Sequence, residues 1–353
     1  MKNKTTAKQL HLGIAIMVII LAACGHTQKS GTGGLTGKTR LIDKFDIAKQ
    51  YPNEWYITAT GTGDTPEAAK QKAIAGVSQV IKVDINSQQQ LNERYIETGT
   101  SDDMKLQIRN TINNQIKLVS EQTLKNVNIA KTWFDKKDGL YYAFAYIDRA
   151  ATSDIYLKDL QKLDDDISVY YEGMKGAKDK LTALAYISRA LELAVQRDIK
   201  TEQLNTISQG GKSFTPMVSS AELVAARHEL TKTMGMKLEL QYEKWDEFAD
   251  AVRDVLGAFG FPVVETDPAI IVKGSMTMEK LERKGYFVRW HVELHLIDTA
   301  SNAEFLSYSD GSREGHSSYG EAERRAAARL GRTIRKNLYI KLNDYFNSLL
   351  KAK

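Results

Sequence analysis

The sequence has one cysteine, Cys24, in 353 residues, and this excludes any disulfide within the chain. The fold must therefore be held by its apolar core. Long hydrophobic runs are missing too: the stretch Leu12–Ala23 is a dozen residues, short of the roughly 20 that a membrane-spanning helix needs. An excess of either charge is also absent. Lys2, Lys4 and Lys8 precede this run with no acid among them, and 49 Lys and Arg less these three leave 46 basic against 44 acidic residues. Such a balance argues against a general binder of polyanions. What remains, 42% apolar with a mean hydropathy of −0.39, is soluble globular material, long enough for two domains with sizeable cores.

A phosphate-binding loop is lacking as well, although GTGGLTGKT at residues 31–39 invites the comparison. The G-x-x-x-x-G-K-[ST] pattern requires a glycine five positions before Gly37-Lys38, where bare backbone N–H groups curl around phosphate oxygens. That position is Thr32, with Gly31 and Gly33 each one residue out of register. No strand precedes the stretch, so it reads as a flexible tether with a reach of about 20 Å. Gly61-Thr62-Gly63 is a second candidate, but Glu67 already occupies the helix N-terminal field that a phosphate would need.

The lysines and the apolar run have the flanks and length of a secretory signal. Its end, Leu21-Ala22-Ala23-Cys24, resembles the bacterial lipobox. The resemblance implies cleavage between Ala23 and Cys24 and acylation of Cys24, with palmitate-like chains anchoring the protein in a bilayer. Each buried methylene adds about 0.8 kcal/mol, so two or three long chains hold stably. By resemblance to the lipoproteins of double-membrane bacteria, Gly25 rather than Asp after the cysteine implies the outer membrane, with the protein facing the periplasm. Export excludes nucleic acid as a partner.

Past the tether, WYITATGTG alternates as a strand, and Thr65-Pro66-Glu67 opens a helix with an N-cap, Pro at the first helical position and an early acid. Ala69, Ala73, Val77 and Val80 or Ile81 mark its buried face. KVDINSQQQLNERYI reads as a strand, residues 102–122 as a polar helix, and VNIAKTWFD-KKDG-LYYAFAYIDR as a hairpin. Pro52-Asn53-Glu54-Trp55, Gly61-Thr62-Gly63, Thr65 to Ala69, Ala73 and Tyr142-Ala143-Phe144-Ala145 together resemble the twenty-kilodalton bacterial outer-membrane lipoprotein family. That domain is also found in flagellar outer-membrane ring and basal-disk proteins. The resemblance spans about residues 50 to 150 and carries no catalytic group.

Residues 151–206 read as a helical hairpin, seeded by Ile155, Leu157, Leu160 and Leu163 and then by Leu181, Leu184, Ile187, Leu191 and Ala194. A partner-binding coil is the alternative. QGGKSFTPM at 209–217 reads as a linker. Strand MKLELQ, helix WDEFADAVRDVLGAFG, three further strands and a long helix from Glu321 to Leu349 follow. Their order resembles the small α+β domain of lipoproteins that activate peptidoglycan synthases and of curli-secretion and Tol-associated proteins.

The fold class expected is α+β, with two small α/β sandwich-like domains joined by a helical hairpin. Residues 1–23 are the signal, 24–45 the lipidated tether, 46–150 the first domain, 151–208 the hairpin, 209–218 the linker and 219–353 the second domain.

Candidate chemistry is sparse. His291-Val292-Glu293-Leu294-His295 lacks the H-E-x-x-H order of a zinc helix and alternates as a strand, whose i, i+2 neighbours are about 6–7 Å apart, too far to share a zinc. Asp164-Asp165-Asp166 reads as helix surface. No Ser/His/Asp arrangement is apparent, and neither a cofactor nor a metal is expected. On the last helix Arg325, Arg329, Arg332 and Lys336 share one face, a stripe suited to an anionic partner such as peptidoglycan carboxylates or lipid phosphates. A solvated face with Glu321 paired to Arg325 is the plainer reading.

The expectation is a non-enzymatic envelope scaffold or interaction module, in a motility apparatus or in the regulation of peptidoglycan synthesis. Its partners are the bilayer through Cys24 and envelope proteins or peptidoglycan, with homo-oligomerisation open. An envelope hydrolase with a dispersed site is the rival.

Overall fold

The computed structural model describes residues 47, 49–82, 85–96, 100–123, 126–282 and 284–350; Cys24, its cleavage site and the Gly-rich tether lie outside them. The chain divides into two units, Met1–Ala48 and Lys49–Lys353, and both sheets belong to the second.

Small residues build the first layer. Strand β1 (Tyr56–Gly63) pairs antiparallel with β3 (Leu140–Asp148), which also pairs with β2 (Asn128–Asp135), giving the order β1-β3-β2. Helix α1 (Pro66–Ile81) starts as expected: Thr65 Oγ1 accepts the Ala68 N–H at 3.1 Å, with Pro66 in the first turn. Its buried face is Ala69, Ala73, Val77 and Ile81, whereas Val80 is exposed. A Cβ on Gly61 would stand 2.2 Å from both Ala69 O and Ala73 N. The glycine-threonine-glycine run is thus the seat of a helix on a sheet, not a phosphate cradle. Hairpin β2–β3 turns at Gly139, whose φ of +65° suits glycine.

KVDINSQQQLNERYI is not a strand. Its centre forms helix α2 (Ile85–Arg94), because Gln, Asn, Glu and Arg alternate with no second apolar face, while Leu91 and Tyr95, four apart, share one side. Both are buried. Helix α3 (Asp102–Thr123) follows, with Met104, Ile108, Ile112, Ile116 and Val119 buried at helical spacing. These two helices, though flanked in sequence by α1 and β2, bury their apolar faces in the larger of two hydrophobic cores, away from the first sheet.

Helices α4 (Arg149–Lys175) and α5 (Lys180–Ser208) form the antiparallel hairpin, capped by Asp148 and Asp179. Tyr156, Leu160, Leu204 and Ile207 belong to the small core with the first sheet; Ile167, Leu184, Ile187, Leu191 and Ala194 belong to the large one. Ile155, an expected core residue, is instead exposed. Asp148, at the end of β3, serves α4 as its cap, accepting the Ala151 N–H at 2.9 Å.

Before the second sheet the sequence reading missed helix α6 (Ser220–Lys232), which opens with a capping box between Ser219 and Glu222. The sheet has the order β4-β5-β6-β7, from β4 (Met236–Gln241), β5 (Ile270–Leu281), β6 (Tyr286–Asp298) and β7 (Ala303–His316). β4 and β5 are parallel, joined through helix α7 (Glu247–Ala258), and the other pairs are antiparallel. Helix α8 (Tyr319–Leu349) packs with α7 and against β6 and β7. Val288, Trp290, Val292, Leu294 and Leu296 meet Leu330, Ile334, Leu338 and Phe346 in the large core. Each such side chain contributes about 1.5–3 kcal/mol on burial. The fold is α+β.

Candidate functional site

The stripe on α8 forms one wall of a groove. Ala326, Leu330, Ile334, Leu338 and Leu342 are buried, which turns Arg325, Arg329, Arg332 and Lys336 outward on the opposite side. All four line a groove of about 770 Å³ together with Ala328, Thr333, Asn337, Glu314 of β7 and Gln107 of α3. Their electrostatic states differ. Arg329 Nη1 donates to Glu314 Oε1 at 2.6 Å. Arg325 Nε lies 3.9 Å from Glu321 Oε1, while Arg324 makes the closer contact with that carboxylate. The Arg324 hydrogen bond holds the Glu321 carboxyl below its ordinary range. Arg332 and Lys336 are exposed, and neither has a carboxylate partner among the described residues. One side of the groove therefore carries uncompensated positive charge, which draws anionic groups over a Debye length of about 8 Å at physiological salt.

Asp164 is the member of the acidic triplet that the sequence reading misplaced. It is buried, with Oδ1 accepting from Arg197 Nη1 at 2.7 Å and Oδ2 from the Met217 N–H at 2.8 Å. Arg197 also donates to Val218 O and, through Nη2, to Ser220 Oγ at 2.9 Å. Asp198 Oδ2 accepts from Ser220 Oγ and Tyr95 OH, each at 2.8 Å, and from Arg94. Burial, then the Asp198 charge, pushes the Tyr95 phenol well above its ordinary range. The network ties α2, α4, α5 and the start of α6 together. It also pins the end of the 209–218 segment to the hairpin. Every charge in it is compensated by a partner, which suits a structural role.

His291, Glu293 and His295 sit on the polar face of β6, as the alternation predicts. His291 shares a hydrogen bond with Glu293 Oε1 at 3.0 Å, and His295 with Glu304 Oε2 at 3.0 Å. The first of these lowers the Glu293 carboxyl. Among the described residues no group of His, Cys, Asp and Glu is placed to hold a metal ion.

A crevice of about 800 Å³ lies at the carboxyl ends of β4 and β5. Leu240, Tyr242, Trp245, Met276 and Met278 give it an apolar lining, and Glu243, Lys244, Lys280 and Glu323 supply two carboxylates and two ammonium groups at its polar side. Lys244 Nζ sits 4.5 Å above the Trp245 ring and 3.5 Å from Glu323, which also faces Lys280 at 3.8 Å. Trp245 has φ of +79°, a conformation that costs a bulky residue about 1–3 kcal/mol. The sequence carries no signal for this site.

Residues 44–148 match the model of the LPP20 lipoprotein family, a stretch that includes β1, α1, the inserted helices and the β2–β3 hairpin. No curated protein matches the chain. Among solved structures, a secreted protein from the human pathogen Helicobacter pylori is similar at 16% identity over 80% of this chain and 98% of its own, with a TM-score of 0.39. A minor lipoprotein from Acinetobacter baumannii is similar at 14% identity over 34% of this chain and 93% of its own, TM-score 0.23. A Caulobacter crescentus protein described as a lipoprotein is similar at 13% identity over 31% and 89%, TM-score 0.23. No helix among the described residues is long and apolar enough to cross a membrane.

Proposed function

We propose that the chain is an envelope lipoprotein, cut behind Ala23, acylated at Cys24 and held at the outer membrane facing the periplasm. There it acts without catalysis, as an interaction module that docks an acidic envelope partner in the α8 groove. The convergence of Arg325, Arg329, Arg332 and Lys336 on one groove, with Arg332 and Lys336 free of carboxylate partners among the described residues, carries the docking reading. Leu21-Ala22-Ala23-Cys24, together with the lipoprotein-family match of residues 44–148, supports the anchor.

The two halves of the reading complement each other physically. Acyl chains confine the protein to a surface, and a charge-complementary groove then raises the encounter rate with a partner held at the same surface. In vivo crosslinking followed by mass spectrometry tests the docking. An envelope partner that is recovered from the native chain and lost with Arg332→Glu/Lys336→Glu supports it. Recovery of no envelope component, together with turnover of a cell-wall or lipid substrate, overturns it in favour of a hydrolase. For the anchor, Cys24→Ala leaves a soluble or uncleaved species. Unchanged mass and unchanged membrane fractionation contradict acylation there.

A further inference from the structure

Strand β7 ends the second sheet on one side, and no strand lies beyond it among the described residues. From Tyr286 to Leu296 of β6 its register is unbroken. The direction of its backbone groups follows from the other side of β6. The Thr299 N–H, just past β6, donates to Ala269 O on the β5 side, and the β5–β6 ladder has no register shift. Odd-numbered residues of β6 therefore turn their N–H and C=O to β5 and even-numbered ones to β7. Tyr308, Asp310, Ser312 and Glu314 are the β7 partners that answer the even-numbered set. Ser309, Gly311, Arg313 and Gly315 thus point outward, and the Gly311 N–H, with no strand to receive it, is accepted by Asp310 Oδ1 at 2.8 Å.

Helix α8 runs beside this edge in step with it. Arg329 Nη1 reaches Glu314 Oε1 at 2.6 Å, and Asn337 Nδ2 reaches Asp310 Oδ2 at 2.9 Å. Eight residues of helix rise about 12 Å and four residues of strand about 13 Å, so the two elements lie antiparallel and matched over this stretch. Arg325, Arg332 and Lys336 stand on the solvent side of the Arg329–Asn337 row and line the same groove. From Arg325 to Lys336 the stripe covers about 16 Å, the length of about five strand residues. It therefore runs along the edge from Gly311 to Gly315.

Charge beside the edge is unbalanced. Four cations line the groove against one carboxylate, that of Glu314. Arg313 on the edge and Arg324 on α8 add two more cations, and Glu321 and Asp310 two more carboxylates. With or without these four residues, the excess is three positive charges. A strand added to β7 would lie along the stripe for its whole length. Every second side chain of it, about 6–7 Å from the next, would stand on the helix side. Carboxylates at those positions meet cations whose own i, i+3 and i+4 spacing is about 5–6 Å.

We propose that the β7 edge takes up an extended acidic segment of a partner protein as a further strand, with carboxylates on alternate residues facing the α8 cations. The proposal rests on the docking reading of the α8 groove and names the form in which the partner docks. Backbone pairing fixes the course of the segment and the cations select its sequence, as in other strand-addition complexes. A second copy of this chain, paired edge to edge, is disfavoured as occupant, since it brings a second excess of the same sign alongside the first.

The test uses the full-length protein in detergent and a fluorescein-labelled peptide, Thr-Glu-Thr-Glu-Thr-Glu-Thr. Fluorescence anisotropy is expected to show saturable binding, and Arg332→Glu/Lys336→Glu to raise Kd by about tenfold or more. Lysine in place of the peptide glutamates has the same effect. Of two peptides N-methylated on alternate residues, one fails to bind and the other binds as the parent does, because only one set of N–H groups faces β7. On binding, the amides of Arg313 and Gly315 exchange with deuterium more slowly, while those of Ser312 and Glu314 are unchanged. Binding that falls on charge reversal but ignores both methylated peptides overturns the strand addition and leaves the groove docking in place. Binding indifferent to charge reversal overturns both. No binding at about 1 mM peptide overturns the strand addition, as does a dimer of the chain held through β7 that the peptide dissociates.

Discussion

Arg197 Nη1 and Asp164 Oδ1 lie 2.7 Å apart, and both side chains are 1% exposed. Removing the cation alone leaves Asp164 a buried carboxylate with no cation beside it, while Asp198 keeps Arg94. Arg197→Met is expected to cost about 3–5 kcal/mol, read as a fall in the urea midpoint. Arg197→Lys restores little, because a single ammonium cannot reach Asp164, Val218 O and Ser220 at once. Arg197→Met with Asp164→Leu recovers part of the loss.

The groove cations behave differently. Arg332 and Lys336 are exposed and hold no carboxylate partner among the described residues, so Arg332→Glu/Lys336→Glu should shift stability by no more than about 0.5 kcal/mol. Thermal unfolding checks this, and a large loss would reveal a structural role in place of a docking one.

Gly61 is held to its identity by α1. Gly61→Ala places a Cβ 2.2 Å from the helix backbone at Ala69 and Ala73, and is expected to cost about 1–3 kcal/mol or more by forcing α1 off β1. Gly176→Ala is the comparison: its nearest neighbour would be 3.7 Å away, and its denaturation midpoint should barely move.

Tyr142 OH donates to Asp138 Oδ2 at 2.6 Å. That hydrogen bond, then burial, raises the phenol to about 12. The fold favours the protonated form, so this contribution is complete below pH 10, the ordinary phenol value, and is lost as pH rises from there toward 12. Urea unfolding across that window should show a decline in stability that is smaller in Tyr142→Phe. At neutral pH the same variant should lose about 1–2 kcal/mol.

Periodicity made much of the fold legible. Ala69, Ala73 and Val77 announce α1, the alternation of β6 separates Trp290 from His291, and the spacing of Arg325, Arg329, Arg332 and Lys336 fixes their common face. Other features depend on partners distant in sequence. Asp164 reads as surface beside Asp165 and Asp166 until the hairpin closes and brings Arg197 to it. The strand reading of residues 82–96 failed because Val83-Asp84-Ile85 alternates locally, whereas the partners of Leu91 and Tyr95 lie in the large core. For α6 the signal was present in Ser219 and Glu222, and the turn residues before it drew the linker reading onward. Gln107 and Glu314 complete the groove only through tertiary packing.

A photo-crosslinking residue placed in living cells tests the docking role most directly. Ala328 lies in the groove without contributing charge, and Ser307 is an exposed position on the opposite, polar face of the second sheet. Substituting p-benzoylphenylalanine at Ala328 should trap an acidic envelope component, lost when Arg332→Glu/Lys336→Glu is added, while the same residue at Ser307 traps none. Equal adducts from both positions, or a groove adduct that survives charge reversal, would contradict the account.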